Sequence, residues 1–385
     1  MIYSRMLWSV TYIPVFFRII KTNQRSGKEL IYMIFILILW LILILAGLSI
    51  NKVGRQPLSL SQTSALRGIC AIEIMIGHIG LATGSLALYP NRKAGILFVG
   101  VFFILSGYGV AYSADHKINY MKHFLVNRTV KILLPAYVTK SIMLITANEL
   151  LDFIGGGIAQ DNFFTDLNWY VWEQLLFYFV YWLAWKVIPA YVELSVGIFS
   201  GLFIVFAYMS GMDNPWYGSS LCFALGLYYY RYEKRNSGQA VFPNAIGRKA
   251  LKYYILLLTL LFITGTSIML FFILGNDSIL GNPVARNIAS LSFGIAMIIL
   301  LYKVRVGNCV SRLLGKCSYE IFLIHPYMIS FLPEVSAGSK LLYGLLVVVF
   351  SVVFAFLIHL VVEKIFYLLS EILKLYADFS IRRKN

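Results

Sequence analysis

Residues 65–80 have the sequence ALRGICAIEIMIGHIG, which places Arg67, Glu73 and His78 within an otherwise apolar segment. A single Arg, Lys or Asp at the centre of a bilayer costs roughly 2.5 to 3.5 kcal/mol, so ionisable residues in such segments are rare unless they serve a function. The stretch therefore predicts a membrane-spanning helix, and it supplies the first candidate site residues.

The spacing of these residues places two of them on one side of the predicted helix. Arg67 and His78 are eleven residues apart, which on an α-helix is about 1100°, or about 20° more than three full turns. The same separation is a rise of about 16 Å, so an arginine at the membrane edge lies above a histidine near the bilayer middle. Glu73 lies about 140° around the helix from His78 and is predicted to point elsewhere.

The composition is that of a membrane protein. Of 385 residues, 59% are hydrophobic and 13% are charged, and the mean hydropathy is +0.77, which predicts an all-α, polytopic transmembrane helix bundle. The net charge of +16 does not indicate nucleic-acid binding, because the basic residues lie in short loops between apolar segments. No metal site is predicted, since the four cysteines form no CxxC pair.

Eleven apolar segments are candidate membrane spans, and the weakest of them is 215–230 because it is short. The segments are 30–48, 65–88, 94–113, 132–151, 168–188, 190–209, 215–230, 253–274, 284–304, 315–332 and 341–368.

The loops between these segments alternate in charge. Four loops are basic, whereas the one that holds Asp152, Asp161 and Asp166 contains no Lys or Arg. By the positive-inside rule the basic loops and the basic C-terminus are cytoplasmic, which requires an external N-terminus for an odd number of spans. The N-terminal stretch is itself basic, so either it is exported against the rule, or 30–48 does not cross, or residues 6–20 also cross.

Four stretches carry recognisable motifs. They are LRG at residues 66–68 with His78 ten intervening residues after Arg67, GVFFILSGY at residues 100–108, FLVNRTVKILLP at residues 124–135 and SYEIFLIH at residues 318–325. These stretches resemble the acyltransferase-3 family of membrane O-acyltransferases, which modify sugars on bacterial surface polysaccharides and related molecules. The third motif departs from the family pattern, because Lys131 follows Arg128 where a second arginine is usual and Pro135 comes one residue late.

The resemblance implies both an architecture and an activity. Ten of the segments, within residues 62–370, correspond to the family's ten-helix core; residues 30–48 are an additional N-terminal hydrophobic helix, preceded by a basic, interfacial tail at residues 1–29. Residues 371–385 are a basic C-terminal tail. The implied location is the cytoplasmic (inner) cell membrane, which the chain crosses several times.

The implied activity is transfer of an acyl group, most simply acetyl, from cytoplasmic acyl-CoA to a sugar hydroxyl. The acceptor is a cell-envelope or exported polysaccharide, or its lipid-linked precursor. Acyl-CoA is a co-substrate in this scheme, and no permanently bound cofactor is expected.

His78 and Arg67 are the predicted catalytic residues. A neutral histidine in a low-dielectric setting is a competent general base toward a sugar hydroxyl near pH 7, and Arg67 shares its helix face. The alternative for His78 is a buried histidine that hydrogen-bonds to a neighbouring helix, and the alternative for Arg67 is a side chain that snorkels to the membrane edge.

Arg128 and Lys131 are the predicted donor-binding residues. From a cytoplasmic loop they would bind the phosphates of acyl-CoA, and their alternative role is to set topology by charge alone. The candidates for lining the same cavity are Ser106, Ser318, His325 and Glu173.

Two functions other than acyl transfer remain open from the sequence. A transporter or flippase for a lipid-linked glycan would use intramembrane charges along its path, and matching repeats would favour it, although the sequence contains no detectable repeat. A non-catalytic subunit of a polysaccharide synthesis complex would have no need for His78.

Overall fold

The computed structural model describes residues 34, 37–38, 40–42, 44–50, 58–85, 88–146, 167–236, 248–275, 278–332 and 340–382. The predicted tail at residues 1–29, part of the predicted 30–48 helix and the acidic loop with Asp152, Asp161 and Asp166 lie outside these residues.

Eleven helices follow one another between Leu60 and Arg382 in the described part of the chain. The first four are α1 Leu60–Thr83, α2 Tyr89–His116, α3 Phe124–Thr146 and α4 Trp169–Val187. The next four are α5 Val192–Met209, α6 Leu221–Arg235, α7 Arg248–Leu274 and α8 Ala285–Lys303. The last three are α9 Cys309–Lys316, α10 Ser318–Phe331 and α11 Lys340–Arg382, so α11 continues into the stretch predicted as a C-terminal tail.

In the described residues, six of the ten predicted core spans form helices that are long and apolar enough to cross a membrane. They are Leu60–Thr83, Ala94–His116, Pro189–Met209, Leu251–Leu274, Leu280–Lys303 and Leu342–Leu369. Helices α6 and α10 have 15 and 14 residues, which gives lengths of about 22 and 21 Å against a hydrocarbon core of about 30 Å. The prediction of a helical, polytopic membrane protein is confirmed.

The start of α3 differs from the prediction and bears on the site. Arg128 and Lys131 were expected in a loop, but α3 begins at Phe124, so both residues lie in its first eight positions. The physical reason is that residues 124–134 contain no Gly or Pro and include several good helix formers. The predicted apolar segment begins at residue 132 because Asn127, Arg128, Thr129 and Lys131 interrupt the apolar run, so hydropathy misses the first two turns of the helix.

The predicted 315–332 span is divided in the structure. Helix α9 ends at Lys316 and α10 begins at Ser318. A capping box starts α9, in which the Asn308 side chain accepts a hydrogen bond from the Ser311 backbone N–H while the Ser311 hydroxyl accepts one from the Asn308 N–H. These reciprocal bonds satisfy two amide groups that a helix start leaves unpaired, so a separate short helix forms here.

A two-stranded pairing and a carboxylate join the segment before α1 to the core. Strand β1 Ser49–Ile50 pairs antiparallel with β2 Val304–Arg305, which follows α8. Glu73 accepts hydrogen bonds from Trp40 Nε1 at 2.7 Å and from Asn91 Nδ2 at 2.8 Å. Glu73 therefore points away from His78, as its position on the helix predicts, and it serves packing of the N-terminal segment.

Two apolar clusters make up most of the core. One contains Phe103, Phe177 and Phe223 and lies among α2, α4 and α6, and the other contains Met75 and Ile321 and lies among α1, α10 and α11. Phe102 packs against both clusters. Phe102 therefore lies at the boundary between the two clusters.

Helices α2 and α6 cross at two glycines that face each other's backbone. A Cβ atom on Gly107 would lie 2.2 Å from the Phe223 carbonyl oxygen, and one on Gly226 would lie 2.1 Å from the Ile104 carbonyl oxygen. Such distances are far inside van der Waals contact, so only glycine permits this approach. The crossing fixes the position of Ser106 and of the residues that follow it on α2.

Replacing Gly107 by alanine should destabilise the folded protein, because the added methyl group forces the α2–α6 crossing apart. Overpacking of this kind costs about 1–3 kcal/mol. The matched control is Gly109→Ala on the same helix, where no atom lies within 4 Å of the added Cβ. Thermal unfolding of the purified proteins in detergent checks this, and equal melting temperatures for the two variants would contradict the close approach.

Candidate functional site

A cavity of about 1520 Å³ opens between the two apolar clusters. Its wall carries seven cationic side chains and four carboxylates, so its net charge is positive. The cationic residues are Arg67, Lys117, Arg128, Lys131, Lys234, Arg305 and Lys316, and the acidic ones are Asp115, Glu233, Glu320 and Glu363.

Arg67 and Arg128 bring positive charge into the interior of this cavity. The Arg67 Nε is buried and has no hydrogen-bond partner within the part of the chain that the structure describes. Arg67 and Arg128 interact electrostatically, and Lys131 in turn interacts with Arg128 and Lys117. Like charges held together in this way repel one another, so the cluster favours an anion with more than one charge.

Aromatic side chains rather than carboxylates hold the Arg128 guanidinium. Its Nε donates a hydrogen bond of 2.8 Å to the Tyr120 hydroxyl, and its central carbon lies 5.4 Å from the Tyr178 ring centroid. Burial raises the pKa of Tyr120 above its ordinary value, so this hydroxyl stays neutral. The charge of Arg128 is oriented by neutral partners and remains available to a ligand.

Ser106 lines the cavity within a network of neutral side chains. It accepts a hydrogen bond of 2.9 Å from Gln174 Nε2, and its hydroxyl lies 2.9 Å from the Tyr178 hydroxyl. None of these partners is a base able to activate a serine, so the network indicates a structural role. Ser318 also lines the cavity, and its hydroxyl donates to the Gly315 carbonyl at 3.1 Å.

Two histidines form a pair beyond the inner end of the cavity. His78 Nδ1 lies 2.6 Å from His325 Nε2, and the two rings are nearly parallel, with an interplanar angle of 17° and centroids 4.9 Å apart. This separation is that of two rings joined edge to edge through these nitrogens. His325 is fully buried, whereas His78 is exposed. Neither of them lines the cavity.

The hydrogen bonds of His325 assign the tautomers of both rings. His325 Nδ1 lies 3.0 Å from the Ile321 carbonyl oxygen, and a carbonyl can only accept, so this nitrogen carries the proton. In the neutral ring Nε2 is then the acceptor, and His78 Nδ1–H donates to it. His78 Nε2 therefore carries no proton and keeps a free lone pair, and His78 is the exposed member of the pair. An unprotonated imidazole nitrogen is the form that a general base requires.

Three aromatic rings separate the histidine pair from the cationic part of the cavity. Phe102, Tyr170 and Phe322 line the cavity, with ring centroids 6.4, 6.5 and 5.0 Å apart for the pairs Phe102–Tyr170, Phe102–Phe322 and Tyr170–Phe322. The Phe322 ring centroid lies 5.8 Å from that of His325. The cationic cluster and the histidine pair are therefore adjacent regions that meet at these rings.

The structure corrects two of the residues predicted to line the cavity. Glu173 is fully buried away from it and accepts a hydrogen bond of 2.7 Å from the Ser220 hydroxyl. Position on one helix does not reveal which other segment contacts a residue, and the partner of Glu173, Ser220, lies immediately before α6. His325 is also absent from the wall, because its ring is turned toward His78.

One acidic arrangement in the wall is predicted only in part by the sequence. His359 Nδ1 lies 2.9 Å from Glu320, and His359 Nε2 lies 3.3 Å from Glu363. The four-residue spacing of His359 and Glu363 predicts their pairing, but Glu320 comes from α10 and no spacing rule connects it to α11. No group of three or more His, Cys, Asp or Glu residues in the described segments has the arrangement of a metal site.

Comparison with known proteins identifies the class. A family model described as an acyltransferase domain, Acyl_transf_3, matches residues 60–360. This match covers most of the chain, so the chain belongs to the acyltransferase-3 family. No curated protein and no solved structure matches the chain. Together with its apolar helices, the match makes the chain a multi-pass membrane protein of the acyltransferase class.

Proposed function

We propose that this protein transfers an acyl group, most simply acetyl, from acyl-CoA in the cationic cavity to a sugar hydroxyl that reaches His78 from the opposite side. The acceptor is a cell-envelope or exported polysaccharide or its lipid-linked precursor. The observation that carries the proposal is the adjacency of an uncompensated cationic cluster and a histidine with a free Nε2.

The chemistry of the cavity supports a donor rich in phosphate. Arginine binds phosphate through several parallel N–H donors, and Arg67 and Arg128 have no carboxylate partner in the described chain. Three basic residues of the cavity wall, Lys117, Lys234 and Lys316, lie at the ends of α2, α6 and α9. By the positive-inside rule these helix ends are on the cytoplasmic side. Acyl-CoA is the phosphate-bearing acyl donor available there.

The histidine pair supports the transfer step. His78 Nε2 removes the proton from the acceptor hydroxyl as its oxygen attacks the thioester carbonyl carbon, forming the new C–O bond. The C–S bond then breaks, and the CoA thiolate takes the proton from the His78 imidazolium to leave as a thiol. His325 stabilises the imidazolium through the Nδ1–H bond, because its own Nε2 remains an acceptor.

Because Phe102, Tyr170 and Phe322 lie between the cationic cluster and the histidine pair, the donor must extend past these rings to react. Arg67 and His78 are eleven residues apart on α1, a rise of about 16 Å. The phosphates of the donor would therefore stay with the cations while its flexible acyl-bearing arm passes Phe102 and Phe322 to reach His78.

His78→Ala should lower acyl transfer by a factor of about 10² to 10⁴, the usual contribution of a general base. The matched control is His123→Ala, since His123 is an exposed histidine outside the cavity wall. Transfer from radiolabelled acetyl-CoA to envelope glycan, measured in membranes with equal amounts of each protein, checks this. Undiminished transfer in His78→Ala would refute the catalytic role.

Arg128→Ala should raise the Michaelis constant for acyl-CoA about tenfold and lower the turnover number much less, because the phosphates are remote from the reacting carbonyl. The effect should shrink at high salt, since ions screen a partly wet site. Arg235→Ala, an exposed arginine outside the cavity wall, is the control. Titrations with acyl-CoA at two salt concentrations measure both constants, and equal Michaelis constants in the two variants would remove Arg128 from the donor site.

A further inference from the structure

Three aromatic rings of α2 form a ladder along the cavity wall. Tyr108, Tyr112 and His116 are four residues apart, so they lie on one face of the helix. The Tyr108 and Tyr112 centroids are 6.2 Å apart at an interplanar angle of 21°, and those of Tyr112 and His116 are 4.0 Å apart at 13°. All three residues line the cavity.

Helix α6 holds this ladder in place through hydrogen bonds and edge contacts. The Tyr108 hydroxyl donates to Glu233 Oε2 at 2.6 Å, and the Tyr230 hydroxyl donates to Asp115 Oδ2 at 2.6 Å. The Tyr230 ring meets those of Tyr108 and Tyr112 edge-on, with centroids 5.7 and 6.0 Å away. Fixed rings lose little conformational entropy when a flat ligand binds against them.

Packing within the ladder leaves part of its surface uncovered. Tyr112 is 45% exposed although Tyr108 and His116 both pack against it. Tyr232 on α6 has a similar exposure of 47% but lies outside the cavity wall, as an aromatic residue facing lipid or the interface would. The exposed surface of Tyr112 belongs to a cavity that also holds Lys117, Arg128 and Lys131.

Aromatic rings beside a row of cations are the features that bind nucleotides, because a ring stacks on the base and the cations meet the phosphates. His116 already covers one face of Tyr112 and Tyr108 is buried, so the base would stack on the exposed ring of His116, which Tyr112 backs from the other side. We propose that the Tyr108–Tyr112–His116 ladder is the subsite for the adenine base of acyl-CoA. This inference rests on the proposed function, since it takes acyl-CoA as the donor.

The position of the ladder along α2 gives the donor a direction. His116 lies ten residues beyond Ser106 and fourteen beyond Phe102, which is about 15 and 21 Å along the helix axis. The base therefore binds at the mouth, the phosphates bind between Lys117 and Arg128, and the pantetheine arm extends inward past Ser106 toward Phe102.

Binding of adenosine 3′,5′-bisphosphate, the nucleotide end of CoA, tests the subsite without any transfer reaction. Tyr112→Leu removes the ring but keeps an apolar side chain, and should weaken binding to the purified protein about fivefold or more. Tyr112→Phe keeps the ring and should lose much less. Tyr232→Leu is the matched control with an equally exposed tyrosine, and equal affinity in Tyr112→Leu and Tyr232→Leu would overturn the subsite.

A second readout distinguishes this inference from the proposed function. Tyr112→Leu should raise the Michaelis constant for acetyl-CoA several times more than that for acetyl-4′-phosphopantetheine, which lacks the nucleotide. Equal increases for the two donors would overturn the base subsite even if transfer itself is intact. Conversely, ring-dependent nucleotide binding together with full transfer in His78→Ala would keep the subsite and refute the proposed catalytic residue.

Discussion

The hydrogen bond between His78 and His325 is the interaction on which the proposed chemistry depends. A lone imidazole exchanges its proton between two nitrogens, whereas here the Ile321 carbonyl fixes one ring and that ring fixes the other. The result is an exposed histidine whose free nitrogen is determined by the backbone of a different helix. Packing of α10 against α1 thus sets the protonation pattern at the nitrogen that we propose as the general base.

The second constraint is the cost of holding positive charge in an apolar bundle. Uncompensated cations are expensive in such surroundings, and Arg128 is oriented by Tyr120 and Tyr178 rather than neutralised by a carboxylate. The protein thereby keeps a charged cluster that the proposed polyanionic donor would stabilise on binding. The aromatic rings at Phe102, Tyr170 and Phe322 separate this cluster from the histidines, so each region retains its own electrostatic environment.

The sequence predicts the features that depend on one helix alone. It does not predict the contacts between helices that are far apart in the chain. The three-turn spacing of Arg67 and His78 and the different direction of Glu73 follow from one helix. The apolar segments locate the helices, but only four of the ten core segments match a helix to within three residues at both ends. The partner of His78 comes from 247 residues away, and no periodicity connects the two. The position of Glu173 outside the cavity wall has the same cause, because its partner Ser220 is 47 residues away in the chain. Arg128 and Lys131 line the cavity from the first turns of α3 rather than from a loop, because polar residues interrupt the apolar run there and hydropathy does not register the start of the helix.

The most direct test of the arrangement uses a reactive analogue of the proposed donor, which covalently labels the residue that its acyl end contacts. Bromoacetyl-CoA binds through the same nucleotide and arm, and its reactive carbon alkylates an unprotonated imidazole nitrogen with release of bromide. Peptide mass spectrometry of the labelled protein should find the adduct on His78, and excess CoA should prevent it. Labelling confined to cavity residues such as His116 or His359, with His78 unmodified, would contradict a donor arm that passes the aromatic rings to reach the histidine pair.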